Sequence, residues 1–467
     1  MVWDHVIYNG TIVSDGRQYT ADIYVKDGKI SRITTEKLQG DVCQATDAAG
    51  KYVIPGMIET HVHSRDGSNG TGVKEDFFTS TSAAAAAGIT TVFEMPNCSP
   101  TVYSADMLRD LVSVIEPKAH TDFCVWGLAL GDLNLAQLQE LSDAGVVAFK
   151  FFWGYAVNSK DYSLVYNYSP DMQGVLPPPD EGQIFRMFRA VKDTGKRVGI
   201  HAESFNIIKM LTAEIRAGGE DDYAALLRTR PVCCETSTID EAIDMAKEVG
   251  VSLHILHVGV GEGVEHIRRA KYDGVDVTAE TCSHYLALTA QDAERCGSVM
   301  KTYPLVRTQA DQDRVWQGVE DGTIDWVCSD HAPHTWEEKQ RNFWDAPAGI
   351  SGIEALSPVI LTAVNDGKIT LARAVELTST AAARTFGLYP QKGTIQEGAD
   401  ADLAILDMDV SYVFDAKKMY SKAKWTPYDG MTFRGRVVKT ILRGQTTMEN
   451  GVVAEEPAGR YIPVRGR

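Results

Sequence analysis

Apolar and polar positions along this chain alternate in two distinct textures. Both ends carry short apolar runs broken by turn dipeptides. The long middle alternates compact apolar runs with stretches of helical period. Near the start, Val6-Ile7-Tyr8 precedes Asn9-Gly10, while Ile23-Tyr24-Val25 and Ile30-Ser31-Arg32-Ile33 flank Asp27-Gly28-Lys29. Asn-Gly and Asp-Gly accept positive φ cheaply, so between apolar runs they predict hairpins. The texture returns in Asp402-Leu403-Ala404-Ile405-Leu406-Asp407, in Val437–Leu442 before Arg443-Gly444, and in Glu449-Asn450-Gly451 before Val452-Val453. Neither end has enough strands to bury a core alone. One small β-sandwich built from residues 1–54 and 388–467 is the economical reading.

Residues 55–387 contain eight apolar runs of strand character, at 54–61, 90–95, 123–130, 146–152, 197–201, 252–258, 276–280 and 324–330. Helix-like segments lie between them, among others 79–87, 182–194, 238–249 and 263–271. Eight strand–helix units predict the α/β class and a (β/α)8 barrel of the TIM type, whose active site sits at the C-terminal strand ends. A doubly wound open sheet would normally open on a glycine fingerprint. Gly259-Val260-Gly261-Glu262-Gly263 lacks that spacing and reads as a strand-to-helix turn.

The predicted strand ends carry the chemistry. His61 and His63 close the first, in Val53-Ile54-Pro55-Gly56-Met57-Ile58-Glu59-Thr60-His61-Val62-His63. Residues i and i+2 of a strand share a side, so two imidazoles can converge on one point. Lys150 ends the fourth strand, His201 the fifth, His257 the sixth and Asp330 the eighth. Alone, each has a bland reading as a satisfied core residue. Together, at one end of one barrel, they make a metal-competent constellation. Lys150 is flanked by Phe149, Phe151, Phe152 and Trp153. Such burial lowers a lysine pKa, and a neutral amine can take up carbon dioxide to give a carbamate. That carbamate would bridge two divalent ions, with His61, His63 and Asp330 on one and His201 and His257 on the other. Ions about 3.5–4 Å apart would acidify a bridging water near neutral pH.

Composition mainly excludes. The 467 residues hold 46 basic against 63 acidic side chains, a formal charge of −17, which argues against nucleic acid and anionic membranes. Eight cysteines without a Cys-x-x-Cys pair fit reduced thiols and a cytoplasmic location. Met1-Val2-Trp3-Asp4-His5 shows no secretory pattern, and no apolar run is long enough to span a bilayer.

The chain resembles the cyclic amidohydrolases of the amidohydrolase superfamily: hydantoinases, dihydropyrimidinases, allantoinases and dihydroorotases. The motifs carrying this are Pro55-Gly56 before His61-Val62-His63, Glu94-Met95-Pro96-Asn97, Phe149-Lys150, His201-Ala202-Glu203, Leu256-His257-Val258, Glu280-Thr281-Cys282-Ser283-His284, and Ser329-Asp330-His331-Ala332-Pro333-His334. The resemblance implies a barrel with a β-sandwich from both chain ends, two metal ions, usually zinc, and hydrolysis of an amide bond within a ring. It implies that Tyr155, five residues after Lys150, donates to the oxyanion formed at the ring carbonyl. Asp330 would shuttle the proton. In dihydroorotases, an arginine after His-x-His and the asparagine of Met-Pro-Asn hold a substrate carboxylate. Arg65 and Asn97 stand at those places, but Asp66-Gly67-Ser68-Asn69-Gly70 departs from the dihydroorotase continuation. The expectation is a hydantoin- or dihydropyrimidine-type ring hydrolase acting on a small cyclic amide or ureide, with allantoinase and dihydroorotase behind it. A homo-oligomer, dimer or tetramer, is expected. Non-catalytic relatives of dihydropyrimidinase lack metal ligands, and a mononuclear deaminase would not need Lys150; the complete set of six disfavours both. His331 and His334 are expected near the site but not as ligands.

Overall fold

The computed structural model describes residues 2–465. Eight parallel strands form the central barrel: β1 (Met57–Val62), β2 (Ile89–Glu94), β3 (Asp122–Val125, continued by Gly127–Leu128), β4 (Phe149–Phe152), β5 (Val198–His201), β6 (Leu253–Ile255), β7 (Val277–Cys282) and β8 (Trp326–Cys328). Neighbours in sequence are neighbours in space. The ring closes where Val62 bridges His331 in parallel and the His63 N–H donates to the His331 carbonyl at 2.8 Å. Closure matters for function because it sets residues of β1 and β8 side by side.

The third strand, expected to be continuous over 123–130, is broken at Trp126. Its first half pairs with β2 and its second with β4. The Trp126 indole is fully buried and donates to the Thr60 carbonyl at 3.1 Å. Gly199 on β5 makes room for it, since a Cβ there would lie 2.8 Å from the indole ring. Below the strand ends His254 stacks on Trp326 with ring centroids 4.6 Å apart, and Phe386 packs edge-on against Trp126 and Trp326. The barrel is a packed core rather than a pore.

Local chemistry sets the outer helices. The helix Phe77–Ala86 starts where the Asp76 carboxylate accepts the Thr79 N–H, and Glu181–Asp193 opens on an Asp180/Gln183 capping box. Helices Cys233–Val249 and Gln309–Asp321 stop at left-handed Gly250 and Gly322. Among the described residues no helix is long and apolar enough to cross a membrane.

Both chain ends build two packed sheets. One has the order Lys29–Thr34, Asp22–Lys26, Val2–Tyr8, Asp41–Asp47. The other runs Val452–Val453, Gln445–Glu449, Thr432–Leu442, Leu403–Val413, Tyr52–Pro55, Thr11–Ser14, Arg17–Thr20. Ile7, Ile23 and Val25 from the first meet Ile12, Val53 and Ile405 from the second in a dry core. The Asp27-Gly28, Arg443-Gly444 and Asn450-Gly451 turns close hairpins. Asn9-Gly10 does not. It carries the chain from one sheet to the other, and its glycine is required because a Cβ would lie 2.6 Å from Val53.

Two features tie these sheets to the barrel. Tyr52–Pro55 pairs antiparallel with Leu403–Val413, then passes through Gly56 directly into β1. Past Val453 the chain leaves the sheet and runs beneath the barrel. There Phe123 exchanges backbone hydrogen bonds with Arg460 and Ile462, and the buried Lys196 ammonium donates to the Val464 carbonyl at 2.5 Å.

Candidate metal centre and active site

At the C-terminal mouth of the barrel, His61, His63, Lys150, His201, His257 and Asp330 line one pocket, together with Arg65, Asn97 and Tyr155. The nine residues singled out from sequence therefore share one cavity.

His61 on β1 and His63 just past its end are held by their Nδ1 atoms and present their Nε2 atoms inward. His61 Nδ1 lies 2.7 Å from Glu280 Oε1, which leaves Nε2 3.3 Å from Asp330 Oδ1. Glu280 is fully buried, and its other oxygen accepts from Thr60 Oγ1 and Trp326 Nε1. His63 Nδ1 donates to Asn97 Oδ1 at 2.8 Å, and its Nε2 is 3.4 Å from the same Asp330 oxygen. Carboxylate or amide acceptors behind imidazoles fix tautomer and direction, as second partners of metal ligands do. The ligand atoms of His61, His63 and Asp330 all lie within 4.8 Å of one another. Buried Glu59 draws the two strands together by accepting the N–H groups of His61 and Ser329, at 2.9 and 2.8 Å.

Opposite, His201 Nδ1 and His257 Nε2 face each other at 3.0 Å, and buried His257 Nδ1 has no partner among the described residues. His201 Nε2 is held by Glu203 Oε2 at 3.0 Å, and Arg230 anchors that carboxylate at 2.5 Å. Glu203 is held down to about 2: burial opposes this, but Arg230 and His201 outweigh it. His257 and Asp330 both have positive φ, +40° and +45°. Left-handed backbone at non-glycine strand ends is strained and concentrates at working sites. Here the two turns aim both side chains inward.

Lys150 lines the same pocket as both groups. It is 1% exposed, forms no ion pair among the described residues, and its Nζ lies 4.6 Å from the Phe152 ring centroid. Burial lowers its pKa to about 8. Asp330 stays ionised: burial opposes it, but His61, His63 and His257 hold its carboxyl well below the usual range. A carboxylate, inward-facing imidazoles, an unpartnered buried ring nitrogen and a readily neutral amine fit a pair of divalent ions.

Tyr155 leans over this centre, its ring perpendicular to His201 at 5.2 Å. Burial pushes its phenol up, so the hydroxyl stays protonated and able to donate. Arg65 is engaged elsewhere: Nε donates to the Pro333 carbonyl at 2.9 Å and Nη2 lies 3.2 Å from His334. Asn97 likewise spends its oxygen on His63. The small cavity lined by these residues, about 70 Å³, shares Tyr155, Tyr166 and Tyr303 with a neighbouring chamber of about 420 Å³.

A family model described as the amidohydrolase family matches residues 52–447. The chain belongs to the amidohydrolase family. It is 35% identical over 471 residues to an L-hydantoinase from Paenarthrobacter aurescens, covering 99% of each chain. To an allantoinase from Rubrobacter xylanophilus it is 35% identical over 463 residues, covering 98% of this chain and 97% of the relative. The solved L-hydantoinase (dihydropyrimidinase) from Arthrobacter aurescens superposes with a TM-score of 0.92 over 99% of this chain and 100% of the other.

Sequence reasoning gave no role to Glu280, Glu59 or the Glu203–Arg230 pair. A signal existed for the carboxylates. Each sits in or just past an otherwise apolar strand, where an acid needs an internal partner. Arg230, far along the chain in a helix-ending loop, left none.

Proposed function

We propose that this amidohydrolase opens a hydantoin- or dihydropyrimidine-type ring by hydrolysing a cyclic amide bond. One observation carries it: six metal-competent side chains converge at the barrel mouth with a protonated Tyr155 hydroxyl over them. His61, His63 and Asp330 would hold one divalent ion, His201 and His257 the other, with carbamylated Lys150 between, and zinc suits this nitrogen- and oxygen-rich set. Such ions, when bound, activate water and polarise a carbonyl. The chain supplies the rest. Asp330 takes the proton of the attacking water and passes it to the departing ring nitrogen. Tyr155 donates to the oxyanion developing on the ring carbonyl. Glu280, Asn97 and Glu203 keep the imidazoles aimed. We place the enzyme in the cytoplasm as a dimer or tetramer of identical subunits acting on a small cyclic ureide.

The chamber beside the centre favours the hydantoin reading over allantoin. Trp153, Tyr166, Phe205 and Trp344 line part of it, beside the charged Lys209, Arg216 and Arg230, and aromatic faces of that kind suit a large ring substituent better than a short ureido group. Purified protein assayed against hydantoin, 5-arylmethyl hydantoins, dihydrouracil, allantoin and dihydroorotate decides it. The 5-substituted hydantoins should turn over fastest; activity confined to allantoin or dihydroorotate overturns the assignment.

Tyr155→Phe tests the oxyanion contact. It should lower kcat and kcat/KM together, by about a hundredfold, because the lost hydrogen bond forms only in the transition state. Arg65→Ala should change neither constant much, its guanidinium Nε being already bound to the Pro333 carbonyl. A raised KM in Arg65→Ala would instead indicate a carboxylate-bearing substrate.

A further inference from the structure

Part of the wall of the candidate metal pocket is irregular backbone, Thr302-Tyr303 and Ala348-Gly349. Irregular backbone at a pocket is normally loose, yet side-chain donors hold this wall one carbonyl at a time. Lys339 Nζ donates to Pro347 at 3.0 Å, to Gly349 at 3.0 Å and to Lys301 at 2.9 Å. His334 Nε2 lies 2.9 Å from the carbonyl between them, that of Ala348. Its Nδ1 faces the Lys74 ammonium at 3.0 Å and accepts from it, so Nε2 carries the proton and donates. Three successive carbonyls thus each receive a side-chain donor. The Gly349 N–H completes the tie to Lys301 at 2.9 Å, and the Ala348 N–H has no partner among the described residues.

Lys339 is costly to keep there. It is 0% exposed and forms no ion pair among the described residues. A buried ammonium without an anion is stabilised mainly by the hydrogen bonds it makes; three carbonyls for three N–H groups is its full complement, and the Trp425 ring, 5.4 Å from Nζ, adds a weaker contact. An apolar residue would fill the same volume at lower cost, so the fold gains something other than stability. What these bonds fix is the orientation of the peptides facing the metal ligands.

We infer that Lys339, with His334, is a positioning residue for the ring substrate: it sets the backbone wall against which the cyclic amide lies, without touching the reacting atoms. The inference rests on the proposed ring hydrolysis, since a ring needs a wall of fixed hydrogen-bonding edges.

The test is Lys339→Met, which keeps the chain length and removes the three donors. With a 5-substituted hydantoin, KM should rise at least about tenfold while kcat stays within about threefold, and metal content should match the parent. Lys339→Gln, which can still donate twice, should recover part of the loss. Parent values of KM in Lys339→Met overturn the inference. So does a loss of kcat that tracks lost metal, which would mark Lys339 as support for the fold. Hydrogen exchange over residues 346–350 gives an independent readout: slow in the parent and at least about tenfold faster in Lys339→Met or, should that variant not fold, in His334→Ala. If the parent turns over no cyclic amide, the ring-hydrolase reading fails by itself. The exchange measurement then still judges the clamp, and an unchanged rate removes it.

Discussion

Lys150→Ala is expected to abolish ring hydrolysis, by about a thousandfold or more, equivalent to ~4 kcal/mol of transition-state stabilisation. An ammonium 1% exposed with no ion pair among the described residues would be an uncompensated buried charge. Burial instead brings the pKa to about 8, which keeps a useful share of the amine neutral and nucleophilic toward carbon dioxide. The product would carry a carboxylate-like charge in the pocket that Lys150 shares with the five other candidate ligands. Lys150→Ala should therefore bind fewer than the two ions per chain expected of the parent. Short carboxylic acids should restore part of both metal and activity by occupying the vacated space. Lys150→Arg should restore neither, because guanidinium cannot lose its proton. Intact-mass measurement gives a readout apart from activity: the parent should show a carbon dioxide-dependent mass increase that Lys150→Ala lacks. Full metal content and full activity in Lys150→Ala would remove the bridge from the mechanism.

Asp330→Asn should cost about a thousandfold in kcat with the fold retained, since positioned proton transfer alone is worth about 10²–10⁴. Asp330 is held ionised by three histidines and lies 3.3 and 3.4 Å from two of them. An amide in its place keeps the shape and one coordinating oxygen but cannot accept a proton from water at neutral pH. The variant should therefore lose turnover more than it loses metal. Circular dichroism and elemental analysis unchanged with activity also unchanged would take Asp330 out of the proton path.

Much of this site was legible because strand geometry is periodic. His61 and His63, two apart on β1, had to share a side, and Lys150 stood out as a charge inside an apolar run. Residues that depend on closure were not legible. That Glu280 would meet His61 requires knowing that β7 and β1 face each other across the barrel interior, a long-range fact no local period encodes. For Asn97 the resemblance implies a substrate contact, and the structure adds a second partner that it did not imply: its oxygen lies on His63. The Asn9-Gly10 turn has hairpin chemistry, yet the packing of Val53 against Gly10 sends the chain to the other sheet. Turn preference sets the bend but not the partner strand.

The passage of Tyr52–Pro55 through Gly56 into β1 bears on how the chain is made. A ribosome releases Tyr52–Pro55 early, but its antiparallel neighbour Leu403–Val413 comes only after the barrel has been synthesised. Until then the segment just before the strand that leads to His61 and His63 has an open edge. Contacts so distant in sequence form slowly and expose strands to wrong pairing in the interval. Nascent chains halted short of residue 403 should therefore be prone to aggregate and should lack a settled His61–His63 pair, even though every ligand residue has already been translated.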